Sequence, residues 1–315
     1  MTRSGQARLR YPGGKRFAFT IFDDCDNSTV KNTRPFYDLL ARLGMRTTRT
    51  VWTLNSTDVH PNWTNSGTLE DPEYREFAQE LQALGFEIAS HGASMMTSTR
   101  DRIRRGLEIF RETFGRYPRS HANHGSNRDN LYWFRARFRS RLLRGLFSGL
   151  LLRHGQSSEG HRPGSPYFWG DLCRQYIAYV RGFTFPVTDL FSVHRNILYR
   201  DPDTPFVNSW FSACHAPDVQ AFNHLLNPRN QEQLAEGGVC IVATHGAGFT
   251  RNGEVNPETR RLLELLATKD GWFVPVSTLL DHLQHLGFGR PISPAERRLI
   301  ELRWLRHALR RGVGR

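Results

Sequence analysis

Lysine is nearly absent from this chain: Lys15, Lys31 and Lys269 are the only ones among 43 basic residues, which leaves 40 arginines (43 less 3). Cysteine is also scarce. Cys25, Cys173, Cys214 and Cys240 lie far apart with no C-x-x-C pair, a spacing that excludes a zinc ribbon or a disulfide framework. No apolar run approaches the roughly 20 residues of a membrane-spanning helix, and the opening "MTRSGQARLRYPGGKR" has no apolar core of a secretory signal. The expected address is therefore the cytoplasm. Internal repeats and nucleic-acid motifs are absent as well, so the formal charge of +13 stands alone and no nucleic-acid partner is expected. A positive surface would still favour anionic partners.

What is present is enough for a large core, since 315 residues with 38% hydrophobic content fit one large α/β domain or two smaller ones. "FAFTIF" (17 to 22) is almost continuously apolar, the pattern of a strand buried on both faces of a parallel sheet. "STVKNTRPFYDLLARLGM" follows with Ser28 or Thr29 as a cap, apolar positions at Phe36, Leu39, Leu40 and Leu43, and Gly44 as a stop, which predicts a helix. The same alternation continues through strands "RTTRTVWTL", "FEIAS", "YIAYVRGFTF", "VCIVAT" and "WFVPVS" and helices "DPEYREFAQELQALG", "TRDRIRRGLEIFRETFG", "PETRRLLELLATKDG" and "TLLDHLQHLG". About seven such units call for a parallel barrel more than an open sheet.

Residues 126–170 carry no clean period and read as an insertion or lid on this barrel. The expected organisation is an arm over 1–15, a barrel over 16–290 and a basic amphipathic helix over 291–315. On that helix Leu299, Leu302, Leu305 and Leu309 share a face, with Ile300 and Trp304 beside them and arginines flanking the rest. Such a helix suits docking on the barrel or peripheral contact with an anionic membrane.

In parallel α/β folds the ligand crevice lies at the C-terminal tips of the strands. Three tips here carry polar chemistry in order: "FDD" at 22–24, "SHGASMM" at 90–96 and "THGAGF" at 244–249. A carboxylate pair at the first tip can serve a reaction, or one aspartate can cap the next helix.

In these motifs the sequence resembles the polysaccharide deacetylases of the NodB-homology type (carbohydrate esterase family 4), over most of residues 16–286. The resemblance implies a deformed (β/α)7-type barrel that hydrolyses an N-acetyl or O-acetyl group on a sugar. It also implies one divalent metal, zinc by preference with cobalt, nickel or manganese as alternatives. Matched motif by motif, Asp23 would be the general base, Asp24 and His91 metal ligands, and His245 the acid that protonates the leaving amine. That division suits the chemistry, since an amide carbonyl needs a cation to polarise it, a carboxylate to take a proton from water, and an imidazole to return one.

The second motif departs from the family, with Met95 standing where a second histidine belongs, and a thioether is a poor ligand for such a cation. "RSHANHGSN" offers replacements: His124 or, less favourably, His121 would complete the metal set. His121, Asn123 and Gly125 would border the substrate or oxyanion, and Trp210 would stack on a sugar. Asp26, His60, Asp171 and the stretch "NLYW" (130–133) read as turn, cap or packing residues.

The implied substrates are an acetylated sugar, a nucleotide-sugar or a lipid-linked glycan, the last placing the enzyme at the inner face of the membrane. A reading of a different class is a metal-free pseudo-enzyme of the same fold that binds glycans or serves as a membrane-associated scaffold.

Overall fold

The computed structural model describes residues 9–57, 66–145 and 157–310. Most of the arm expected over 1–15, His60, part of the 126–170 stretch and the last residues of the chain lie outside them.

Strand β1 (Phe17–Asp23) is buried along its whole length, as its unbroken apolar run requires. It is followed by helix α1 (Val30–Arg42), which Thr29 caps through its side chain, with Asn32 reciprocating. Gly44 stops the chain with φ +69°, a conformation that costs glycine nothing. Strand β2 (Thr48–Val51), helix α2 (Pro72–Ala83), strand β3 (Glu87–Ser90), helix α3 (Arg100–Phe114) and the short strand β4 (Ser120–His121) complete the first half.

The second half contains helix α4 (Gly170–Tyr176), strand β5 (Tyr179–Phe185), the antiparallel β6 (Leu198–Tyr199) and strand β7 (Ser209–His215). Helices α5 (Val219–Leu225) and α6 (Pro228–Ala235) lead to strand β8 (Val239–Thr244). β8 runs parallel to β1 from Ala18↔Val239 to Asp23↔Thr244 and also pairs with β7. This closes a seven-stranded parallel barrel in the order β1-β2-β3-β4-β5-β7-β8, as the alternating pattern predicts.

A small hairpin of β9 (Thr250–Arg251) and β10 (Glu254–Val255) precedes helix α7 (Pro257–Ala267). Strand β11 (Gly271–Phe273) lies against the lower end of β1, leaving its upper end to β2. Two sequence expectations shift here. The run "WFVPVS" is a strand only to Phe273, because Pro275 becomes the N-cap of helix α8 (Val276–His285) and cannot continue a ladder. The "SWFSACH" segment, not among the expected strands, is strand β7 of the barrel.

Helix α9 (Pro294–Arg310) docks on the barrel through Ile300, Trp304, Leu305 and Ala308, all within the core cluster that includes Phe183 of β5. The apolar face expected from the leucines is therefore divided. Leu305 is buried, whereas Leu299, Leu302 and Leu309 are 44, 46 and 48% exposed on the outer side. Arg297, expected on the solvent flank, is buried and paired to Asp201 at 2.9 Å. Within residues 126–170, the stretch around Phe138 packs beneath this helix, with Phe138 against Trp304 and the Arg139 N–H donating to Glu301. Among the described residues no helix is long and apolar enough to cross a membrane.

Candidate active site

The tip of β1 divides three carboxylates among three environments. Asp23 is fully buried. Its Oδ2 accepts from Arg49 Nη1 at 2.7 Å and from the Tyr37 hydroxyl at 2.9 Å, and its Oδ1 accepts the N–H of Gly246. Burial raises its pKa, an effect that Arg49 only partly offsets. A Cβ on Gly246 would sit 2.6 Å from Asp23 Oδ2, so the glycine after His245 is what lets this loop close down on the aspartate.

Asp24 turns into the barrel mouth. Each of its oxygens accepts from Arg181 of β5 at 2.7 Å, a bidentate pair of the strong kind. Burial alone would raise its pKa, but Arg181 and His91 outweigh that and hold it below the ordinary value.

Asp26 stands at the rim between three imidazoles. Its Oδ1 is 2.6 Å from His124 Nε2, and its Oδ2 is 3.1 Å from His91 Nε2 and 3.6 Å from His245 Nε2. Burial opposes its charge, yet His91 and His124 hold it well below the usual carboxylate range.

The far sides of two of these rings fix their protons. His91 Nδ1 faces the Ala122 carbonyl at 3.1 Å and His245 Nδ1 faces the Pro217 carbonyl at 2.7 Å. A carbonyl can only accept, so each Nδ1 carries hydrogen and each Nε2 is directed at Asp26. A neutral imidazole in that position would set a lone pair against a carboxylate oxygen. At the 3.1 Å that separates His91 from Asp26 something positive must lie between the two, either a proton or a metal ion, whereas His245 at 3.6 Å is beyond hydrogen-bond range. Consistent with this, His91 is pulled down by burial but raised further by Asp24 and Asp26, for a net upward shift.

The donor set suits a metal. Asp26, His91 and His124 offer one carboxylate oxygen and two imidazole nitrogens within 4.8 Å of one another, and Asp24, Asp26 and His245 form a second such group. One carboxylate with two imidazoles is a zinc-type set. The buried Trp52 orients it, stacking on His91 at 4.6 Å and meeting His124 edge-on at 4.8 Å. The cleft above is open, about 910 Å³, with Trp133 on one wall and His245 on another.

No protein-family model matches this sequence, and no curated protein does. Solved structures do. A Mycobacterium smegmatis protein assigned as a polysaccharide deacetylase aligns at 14% identity and a TM-score of 0.50, covering 92% of this chain and 98% of its own. A Pseudomonas aeruginosa PAO1 protein assigned in the same way aligns at 12% identity and a TM-score of 0.50, covering 90% and 95%. The allantoinase PuuE aligns at 11% identity and a TM-score of 0.53, also covering 90% and 95%.

The chain has the polysaccharide-deacetylase fold.

On that fold, the structure brings together some of the residues singled out in the sequence and separates others. Asp24, His91, His124 and His245 all line the cleft, as do Asn123 and Gly125. The two imidazoles expected beside Asp24 converge instead on Asp26, because both oxygens of Asp24 are taken by Arg181. Asp23 does not reach the cleft. His121 lies deeper, with Nδ1 3.1 Å from Ser90 Oγ and its ring edge-on to Trp169, and burial pushes its pKa down to about 3. It stands outside both donor groups.

Asn123 ties its loop together by exchanging two hydrogen bonds of 2.9 Å with the Leu131 backbone. Gly125 adopts φ +45° and its carbonyl accepts from Trp133 Nε1 at 3.1 Å. Trp210 is buried, donates to Thr204 at 2.8 Å, and does not line the cleft. The aromatic wall is Trp133, which the sequence reading assigned to packing.

Asp26 and Arg181 are the other residues missed. The signal for Asp26 was available in "DDCD", where a third carboxylate follows two positions beyond the tip. For Arg181 it was a lone cation inside the apolar "YIAYVRGFTF", since a charge buried in a barrel strand requires a carboxylate partner.

Proposed function

We propose that this chain is a divalent-cation-dependent hydrolase that removes an acyl group, most simply acetyl, from the nitrogen or oxygen of a sugar or glycan. The observation that carries this reading is the placement of Asp26 between His91, His124 and His245 at the mouth of a deacetylase-type barrel. Asp26, His91 and His124 would hold the cation, with zinc the best match to one carboxylate and two imidazoles. When bound, that cation supplies polarisation of the acyl carbonyl and acidification of water.

The remaining residues supply proton transfer and binding. Asp24, kept ionised by Arg181 and facing the cleft, is the proton acceptor in this reading; the part read for Asp23 from its motif position passes to its neighbour. His245 presents Nε2 to the cleft with Nδ1 pinned to Pro217, so a proton on Nε2 can pass to the departing nitrogen. Trp133 offers a flat apolar face to a pyranose ring. Acetylated sugars, free or carried on a nucleotide or lipid, are the substrates that match these features.

The test is metal analysis of purified protein combined with acetate release from N-acetylated chito-oligosaccharides. About one transition ion per chain and release lost in Asp24→Asn are expected. Protein that takes up no ion at this site, or releases acetate equally well after Asp26→Ala, would overturn the proposal.

A further inference from the structure

A second cavity of about 630 Å³ lies between the described part of the insertion and helix α9, and it is lined by six arginines and two aspartates. Arg135, Arg137, Arg139, Arg144, Arg162 and Arg297 face Asp201 and Asp203 there. The aspartates are already committed: Asp201 pairs with Arg297 at 2.9 Å and with Arg139 at 3.2 Å, and Asp203 pairs with Arg139. The buried Glu301 accepts from the Arg139 N–H and lies 3.7 Å from Arg297 Nη1. Even with Glu301 included, six cations meet three anions.

Arg137 is the unusual member. Its guanidinium is held by rings, 4.0 Å from Trp133, 4.7 Å from Trp304 and 5.0 Å from Phe183. Among the described residues it makes no ion pair and its guanidinium donates no hydrogen bond. The side chain is half-buried, and its enclosure together with the charge of Arg297 pulls its pKa down to about 9.

The Nη1 atoms of Arg139 and Arg297 are buried without a hydrogen-bond partner. Arg135 and Arg162 are exposed at the entrance and have no side-chain partner among the described residues. Orphan donors on planar forks, gathered around a cavity with excess positive charge, match the tetrahedral oxygens of phosphate better than a single carboxylate.

We propose that this cavity binds a phosphate or diphosphate group, at a site distinct from the catalytic cleft. The inference rests on the arginines and stands whether or not the cleft is a hydrolase site. The two are adjacent, because Trp133 lines the cleft and its ring also lies under the Arg137 guanidinium.

Calorimetric titration of the full-length protein with inorganic pyrophosphate at low ionic strength tests the site, with sodium acetate of matched ionic strength as control. Saturable binding of pyrophosphate but not acetate is expected. Arg137→Met and the double variant Arg135→Ser/Arg162→Ser should each weaken it at least tenfold; the double variant changes only exposed side chains and so remains informative if the first does not fold. Absence of saturable binding, or binding unchanged in the double variant, overturns the proposal. Flotation with phosphatidic-acid vesicles that pyrophosphate abolishes would assign the phosphate to a lipid headgroup. Pyrophosphate binding without flotation would assign it to a soluble compound.

Discussion

Asp23 of β1 and Arg49 of β2 are direct neighbours across the sheet, and their side chains form a 2.7 Å ion pair that solvent does not reach. Residues paired in register project from the same face of a sheet. Here that face looks outward to the helices, where Tyr37 and Tyr74 complete the network. Because Gly246 also donates to Asp23, the pair anchors the loop that carries His245.

Asp23→Ala is therefore expected to destabilise the fold by about 3–5 kcal/mol, since it strands Arg49 in the interior. Asp24→Asn also removes the charge opposite the buried Arg181 but keeps one acceptor oxygen for it, so it should cost less than Asp23→Ala while lowering kcat by roughly 10²–10⁴. Thermal melts beside acetate-release kinetics separate the two. The opposite pattern, with Asp23→Asn stable but inactive, would return the proton-accepting role to Asp23.

Removing one donor of the proposed metal set should act on affinity first. His124→Ala is expected to weaken zinc binding by at least about a hundredfold, while His121→Ala, a change outside both donor groups, leaves it within about threefold. Competition with a chromophoric chelator measures both.

Arg181→Met tests the partner of Asp24. With its guanidinium gone, that carboxylate loses its main opposing charge, so its pKa should rise. The acidic limb of the kcat/KM profile should move to higher pH, and activity at neutral pH should fall by at least about tenfold. A limb that does not move would detach Asp24 from the proton transfer.

Asp129 provides a stability prediction away from the cleft. It is buried, accepts the Ser98 N–H at 3.0 Å, and burial lifts its pKa to about 7. The folded state thus holds this proton up to about pH 7 while the unfolded chain releases it near the ordinary value of about 4. Between those limits the folded state binds more protons, so stability falls as pH rises through the window and levels off above it. Asp129→Asn should remove that slope and gain up to roughly 4 kcal/mol at pH 8. Urea melts from pH 5 to 8 measure it.

Trp133→Ala is expected to raise KM for oligosaccharides several-fold with a smaller effect on kcat, since a stacking wall binds ground and transition states alike. Trp210→Ala should lower stability through loss of core packing.

Local pattern was sufficient for most of the architecture. The apolar run of β1, the cap at Thr29 and the stop at Gly44 each follow from chemistry within a few residues, and the succession of such units specifies a closed parallel barrel. "SWFSACH" escaped because its polar residues mask a buried strand, with Ser209 and Ser212 enclosed beside Trp210 and Phe211. The docked face of α9 was misplaced because a helical wheel ranks positions by hydrophobicity, while Arg297 and Glu301 were buried by partners distant in the chain.

The sequence by itself determined that carboxylates and imidazoles would gather at strand tips, because strand order and period place them there. Only the tertiary structure decided what each aspartate faces. The two-residue alternation of a strand turns Asp23 outward onto Arg49, the next residue turns inward to meet Arg181 from the opposite side of the barrel, and Asp26, past the last ladder bond, is free to stand between imidazoles from three other loops. Each assignment depends on a cation or a ring contributed from elsewhere in the chain, and no local spacing encodes that.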